Sequence, residues 1–333
     1  MSADPLFLTG ATGFLGNAVL QELLEAGYRV RCLVRRSVDL PDGAVPVPGH
    51  LHEEIALQNG MEGCQAVVHV AALVQDWLPR RRRAEFHHVN VDGLRRVIQC
   101  ARQCQVPRFI YTSSFFALGP TEDLPEGVGD EQMPLRSGPF HHPYEESKVE
   151  GRRVFLEALQ EGFPGVILYP TVIYGPGTLT EGNHIGRLIA DFLKRRLPGV
   201  PGSGSQRWCF ARVRDVAIGH RLALEQAESG SEYVLGGENE TLAAFFQHLE
   251  QLSGIPAPRL RIPLLVLNAG ARFQEGWAAV TGRAPQLTSG SARIYGHHWS
   301  YHSQRAVREL GYAPGSLREG LKESIAWLRL RTA

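Results

Sequence analysis

The chain has 333 residues, 43% of them hydrophobic, with 35 basic side chains against 34 acidic ones and a formal charge of +1. That length suits two domains, or one large α/β unit with an appended lobe. The near-neutral balance gives no reason to expect a nucleic-acid partner, and five cysteines, an odd number without tight spacing, argue against a disulfide scaffold.

The N-terminal run MSADPLFLTG leads straight into a strand without a charged region, apolar stretch and cleavage site. No apolar run is long enough to span a bilayer. A soluble, reducing, cytoplasmic setting without a membrane span is therefore expected. Residues 6–9 read as a short apolar strand, followed by the glycine-rich turn TGATGFLG and a helical pattern that ends at Gly27. Residues 28–34 and 66–70 read as further strands. The basic run 80–83 reads as a solvated helix start, ahead of helical periodicity over 87–103. Cys100 and Cys104 lie in that helix without a second ligand pair, so no metal is expected.

Residues 108–111 read as a strand running into TSS. Pro143 opens a helix through residue 159, and 165–168 form another strand. Strands alternating with helices predict parallel strands with right-handed crossovers, hence a doubly wound α/β sheet. Beyond Tyr169 the pattern loosens. Helices are expected over 187–196, 213–228, 242–252, 264–280, 304–310 and 317–330, with a short strand at 233–235. Residues 200–210 read as a glycine-rich excursion. The apolar stretch 263–273 reads as a buried domain helix in preference to a membrane-facing or substrate-facing one. This gives a dinucleotide-binding domain over 1–170 and a mainly substrate-binding lobe over 171–333, with 205–230 returning to the first unit.

Gly10, Gly13 and Gly16 recur every three residues between a strand and a helix. Gly10 permits a tight turn, Gly13 lets the backbone approach a pyrophosphate, and Gly16 lets the helix pack on the sheet. The helix N-terminus then faces the phosphates, with Thr12, Phe14 and Leu15 alongside. After the second strand stand Arg35 and Arg36, where NAD binding usually wants a carboxylate. A guanidinium can grip an additional phosphate bidentately. NADP(H) is therefore expected, with NAD(H) as the alternative.

Tyr144 and Lys148 are four residues apart in HPYEESK, so one helix face carries both. A phenol whose ordinary pKa is ~10 becomes easier to ionise beside an ammonium. Tyr144 can then exchange a proton with a carbonyl or alcohol oxygen. Ser114, at the end of RFIYTS, is placed to hold that oxygen, with Ser113 as rival.

Together these motifs resemble the extended short-chain dehydrogenase/reductase superfamily, also described as the NAD-dependent epimerase/dehydratase family. TGATGFLG, HVAAL at 69–73, Asn90 in VNVDG, Ser114 in TSSFFALG, YEESK, PTVIYGPG at 170–177 and VRDVAIGH with Asp215 carry the likeness over nearly the whole chain. RLIADFLKRRLPG and YVLGGENETL resemble the branch of dihydroflavonol reductase-like, 3β-hydroxysteroid dehydrogenase-like and hopanoid-associated sugar epimerase-like proteins. The resemblance implies a Rossmann-type sheet with a smaller interleaved C-terminal lobe. It also implies Ser114, Tyr144 and Lys148 as catalytic residues. Val70, Ala71, Ala72, Thr112, Pro170, Thr171 and Val172 would join Tyr144 and Lys148 around the cofactor. A homodimer through the helices after Phe86 and Tyr144 fits relatives of this type. Three positions depart from the pattern. His50 stands where an aspartate usually meets the adenine, leaving that role to Leu51 and backbone. Tyr169 replaces an arginine before the proline, and Val172 replaces an asparagine used by nucleotide-sugar enzymes.

The candidate substrate lining, Trp77, Phe115, Phe116, Phe140 and Trp208, is aromatic and suits an apolar ligand. Trp208 is expected on a loop that could cover a pocket, and His141 and His142 near the entrance. The reading is an NADP(H)-dependent ketoreductase or alcohol dehydrogenase for an apolar small molecule. The alternative is an NAD(P)-dependent sugar or nucleotide-sugar epimerase that oxidises transiently.

Overall fold

Four short apolar runs, LFLT, AVVH, FIYT and GVILYP, are buried along their whole length, as strands covered on both faces must be. The computed structural model describes residues 4–332. In chain order the strands are β1 (Leu6–Thr9), β2 (Val30–Val34), β3 (Ala44–Pro48), β4 (Ala66–His69), β5 (Phe109–Thr112), β6 (Gly165–Pro170), β7 (Val172–Tyr174), β8 (Val200–Pro201), β9 (Arg207–Arg212), β10 (Glu232–Leu235), β11 (Glu238–Thr241) and β12 (Arg261–Ile262). The helices are α1 (Phe14–Glu25), α2 (Glu54–Met61), α3 (Ala84–His87), α4 (Gly93–Gln103), α5 (Pro143–Gln160), α6 (His184–Leu193), α7 (Val213–Gln226), α8 (Leu242–Ser253), α9 (Leu264–Thr281), α10 (Ser289–Ile294), α11 (Gln304–Leu310) and α12 (Leu317–Thr332).

Seven strands form one parallel sheet in the order β3-β2-β1-β4-β5-β6-β10. The strand order reverses between β1 and β4, which opens a crevice beyond their carboxyl ends. Alternation along each strand splits the core in two. Leu6, Leu8 and Val68 face α1 and α7 with Val19, Leu20 and Val216, while Phe7, Val67 and Phe109 face the other layer with Leu94, Val97 and Phe155. This is the doubly wound, Rossmann-like α/β fold. Two smaller sheets, β11-β9-β7 and β12-β8, stand beside it.

Strand β3 and helix α2 were not legible in the sequence. Pro46 and Pro48 argue against a strand, yet β3 sits at the sheet edge, where a missing amide donor is tolerated.

Two expectations are corrected. Trp208 is not on a loop: it lies in β9, 5% exposed, and stacks on Tyr295 at 5.2 Å. The glycines before it, Gly202 and Gly204, turn the chain from β8 into β9. Helix α9 is not buried. Only Ala271 and Ala278 are, while Leu265, Val266, Phe273, Trp277 and Val280 are 82%, 58%, 75%, 60% and 84% exposed. A run apolar all round looks like a core helix in sequence; here one face, through Ala271 and Ala278, is covered, and the face with the largest side chains is not.

The helices expected to pair across a dimer, α4 and α5, carry no exposed large apolar side chain among the described residues. Within the run 80–83, Arg82 pairs with Glu85 of the first turn of α3 in an exposed contact; the side chain of Arg80 lies outside the described residues. Among the described residues no helix is long and apolar enough to cross a membrane.

Candidate active site

The turn after β1 lies at the sheet's switch point. A Cβ on Gly10 would sit 2.7 Å from the Ala71 amide nitrogen after β4, and Gly10 has φ +83. A Cβ on Gly16 would lie 1.9 Å from Gly10 O, so helix and turn touch backbone to backbone. Helix α1 starts at Phe14 with no side-chain cap and no acidic residue in its first turn. Thr12 and Gly13 are exposed there and Leu15 half-buried, so amide groups face the crevice, as an anion requires. These features fit a dinucleotide pyrophosphate.

The other carboxyl ends bring up the remaining candidates. Arg35 and Arg36, both exposed, follow β2. Beside them the chain leaves β3 through Gly49, whose N–H donates to Val34 O at 3.0 Å. It then reaches His50, which is exposed, and Leu51, which packs under Gly93. Val70, Ala71 and Ala72 follow β4, half-buried, and buried Pro170, Thr171 and Val172 end β6 and start β7.

Around the sheet ends the polar groups are fixed in pairs. Thr9 Oγ1 lies 2.8 Å from His69 Nδ1 and accepts from the Ala71 amide at 3.3 Å. Burial pushes His69 down to about 3, with the Lys148 charge acting the same way, so the ring is neutral. His220 Nδ1 donates to Val216 O at 2.7 Å, leaving Nε2 for the Thr112 hydroxyl at 2.9 Å. Burial pushes His220 down to about 4.

Helix α5 presents the two residues that define its face. Lys148 is 3% exposed, and its Nζ donates to Thr112 O at 3.1 Å and lies 5.8 Å from the centre of the Tyr144 ring. Burial pushes the Lys148 ammonium down to about 7. Burial raises the Tyr144 phenol, and the neighbouring Ser114 hydroxyl opposes that rise. Ser113 instead turns toward Tyr111 without a hydrogen bond of good geometry. The two serines thus face different phenols, and Ser114 is the one beside Tyr144. Ser114 Oγ also accepts from the Phe116 amide at 3.3 Å.

Phe116 stands edge-on to Tyr144, ring centres 5.8 Å apart, and edge-on to Trp299 at 5.1 Å. It is half-buried, so it faces the site, while Phe115, 8% exposed, stacks behind it at 4.3 Å. Phe140 is half-buried under the Arg136 guanidinium at 5.6 Å. Trp77 is half-buried in the loop after β4. The structure therefore gathers Phe116 with Tyr144 and sets Trp208 and Phe115 back in the core.

Several contributors had no strong signal in the sequence. His142 caps α5: its Nδ1 accepts from the Tyr144 amide at 3.0 Å and its Nε2 bonds Asp76 O at 2.8 Å. His141 stacks on His297 at 4.6 Å, so the adjacent histidines have different partners. Asp76 receives Arg187 at 3.0 Å and His184 at 3.2 Å. Burial works against its carboxylate, but the hydrogen bond from His184 and the charge of Arg187 help hold its pKa below the ordinary value. Asn90, in a π-helical turn (His88–Asp92), accepts from Leu73 N at 2.7 Å and donates to Leu73 O at 3.1 Å and Ser147 Oγ at 2.9 Å. Ser147 Oγ in turn donates to Tyr144 O at 2.7 Å. The missing arginine at Tyr169 is made good: its hydroxyl bonds Glu232, and Arg152 covers its ring at 5.4 Å.

Residues 6–236 match the model of the NAD dependent epimerase/dehydratase family. The chain belongs to this family. It is an NAD(P)-dependent oxidoreductase of the extended short-chain dehydrogenase/reductase type. One similar family member, from Synechocystis sp. and provisionally named dihydroflavonol 4-reductase, is 32% identical over 98% of this chain and 95% of its own. Another, the 4-hydroxy-2-methyl-3-oxo-4-farnesyl-3,4-dihydroquinoline-1-oxide ketoreductase of Stigmatella aurantiaca, is 32% identical over 92% of this chain and 91% of its own. The crystal structure of gox2253 superposes with a TM-score of 0.82 at 31% identity, covering 98% of both chains. For this epimerase/dehydratase family member, sequence and fold therefore agree over 98% of the chain.

Proposed function

We propose that the protein is an NADP(H)-dependent ketoreductase or alcohol dehydrogenase acting on an apolar carbonyl or hydroxyl compound. The observation that carries this reading is the aromatic wall at Tyr144, with Phe116 edge-on at 5.8 Å and Trp299 behind it. An apolar face beside one phenol and one serine hydroxyl suits a hydrophobic ketone with a single reacting oxygen. The ketoreductase name of a relative with a farnesylated substrate supports the same class.

Residues 1–170 would hold the dinucleotide and 171–333 mainly shape the substrate space, with about 205–230 returning to the sheet. The crevice residues Gly10, Thr12, Gly13, Phe14, Leu15, Gly16, His50, Leu51, Val70–Ala72, Thr112 and Pro170–Val172 would line the cofactor. Arg35, exposed after β2, would grip the additional phosphate that distinguishes NADP. Bound there, the nicotinamide supplies or accepts the hydride. Ser114 would hold the substrate oxygen through its hydroxyl. Tyr144 would give that oxygen a proton in reduction and take it back in oxidation. Lys148, held by Thr112 O, would ease ionisation of the phenol when charged.

A nucleotide-sugar epimerase would lack an amide donor at buried Val172. The test is NADPH consumption with flavanonol-like, steroid-like and β-keto substrates. Steady loss of NADPH absorbance with an apolar ketone is expected, and Tyr144→Phe should cut turnover by about 100-fold or more while NADPH affinity stays nearly unchanged. Turnover of a sugar nucleotide with no net absorbance change would replace this reading with the epimerase.

A further inference from the structure

Helix α9 turns its largest apolar side chains to solvent. Val266, Phe273, Trp277 and Val280, at spacings of seven, four and three residues, fall on one stripe. Ala269, Gly270 and Gly276 lie between them, all exposed. The opposite face, through buried Ala271 and Ala278, rests on the protein. A stripe of this kind is larger than scattered surface apolar residues explain.

The segment that carries it is one-sided in charge. Between residues 254 and 300 stand five arginines, Arg259, Arg261, Arg272, Arg283 and Arg293, against one carboxylate, Glu275. All five arginines are exposed, and none pairs with a carboxylate among the described residues. Glu275 is already engaged, accepting from the amide and the hydroxyl of Ser289 at 2.8 and 3.0 Å. The chain as a whole has a net charge of only +1, so this excess is local. Large apolar side chains with a tryptophan, on a helix that carries Arg272 and is followed by Arg283, match a bilayer interface with anionic headgroups. A second copy fits worse. Pairing α9 with α9 would bring Arg272 and Arg283 of each copy toward the same seam, with Glu275 already held by Ser289, and like charges would oppose it.

We propose that the outward face of α9 is a docking surface for an anionic lipid bilayer, on which the protein lies without spanning it. The position of α10 gives this surface a use. A Cβ on its Gly290 would come within 2.9 Å of both His141 O and the His142 ring, and Ser291 Oγ lies 3.5 Å from the Asp76 carboxylate. Thus α10, which packs on α9, also touches the segment that caps the Tyr144 helix. Docking on α9 would bring that segment close to the lipid.

The experiment is co-sedimentation of the full chain with phosphatidylcholine vesicles, with and without phosphatidylglycerol. The wild type should pellet with phosphatidylglycerol vesicles, stay in solution with phosphatidylcholine alone, and be released in part by high salt. Phe273→Glu/Trp277→Glu should remain in solution while its circular dichroism melt is unchanged. Arg259→Gln/Arg272→Gln/Arg283→Gln should lose the preference for phosphatidylglycerol. Wild-type protein left in the supernatant, or a glutamate variant that pellets as well as wild type, overturns the proposal. So does a wild-type dimer in size-exclusion chromatography that the glutamate variant converts to monomer without any vesicle binding; the face would then join two copies. None of these readouts depends on the proposed reaction, so either reading can fail alone.

Discussion

Arg136 and Glu145 form an ion pair directly behind Tyr144. Glu145 is fully buried, one oxygen bound by Arg136 and the other accepting from the His141 amide at 2.6 Å. Arg136 also donates to Phe116 O at 3.3 Å. The pair therefore ties the start of α5, the His141 segment and the aromatic wall to one charged centre. Removing one partner leaves a buried charge alone, which costs about 3–5 kcal/mol. Arg136→Met should lower Tm accordingly, and the Arg136→Met/Glu145→Met pair should cost less than the two single changes added. Additive losses in denaturant unfolding would show that the two side chains do not act together.

Asn90 supplies the second tether. It bonds both backbone groups of Leu73 and, through Ser147, the backbone of Tyr144. Asn90→Ala leaves the Leu73 amide without this partner, at a cost of about 1–3 kcal/mol. Thermal stability should fall and, under the proposed function, so should NADPH affinity, since the loop lies beside the crevice. Unchanged affinity measured by NADPH fluorescence would separate this tether from the cofactor.

Lys148 gives a pH signature with a definite sign. Its ordinary value is 10.5 and burial pushes it to about 7. Between those values the unfolded chain binds the proton and the folded one does not, so this contribution to stability rises with pH across that window. Buried cysteines and tyrosines obscure it in the wild type alone. The difference in Tm between wild type and Lys148→Met isolates it: the variant should hold its greatest advantage at pH 6 and lose it toward pH 9. A difference independent of pH would mean that Lys148 keeps its charge through solvent or ligand contacts.

Arg35 decides the cofactor under the proposed function. Arg35→Asp should weaken NADP binding by at least about tenfold more than NAD binding. Calorimetry with both dinucleotides measures this, and equal weakening would remove Arg35 from phosphate recognition.

From the residues alone came the strand–turn–helix around Gly10 and Gly16, the parallel sheet, and the common face of Tyr144 and Lys148. These follow from local rules: glycine where no Cβ fits, unbroken apolar runs for strands buried on both sides, and four-residue spacing on a helix. Folding alone decided matters of long sequence separation. Trp299 meets Phe116 from the far end of the chain, and Pro46 and Pro48 become acceptable only at a sheet edge. Likewise α9 reads as core by composition, yet which of its faces is covered depends on what packs against it. Apolar periodicity marks a surface that can be buried, and only the arrangement of the other elements determines whether it is.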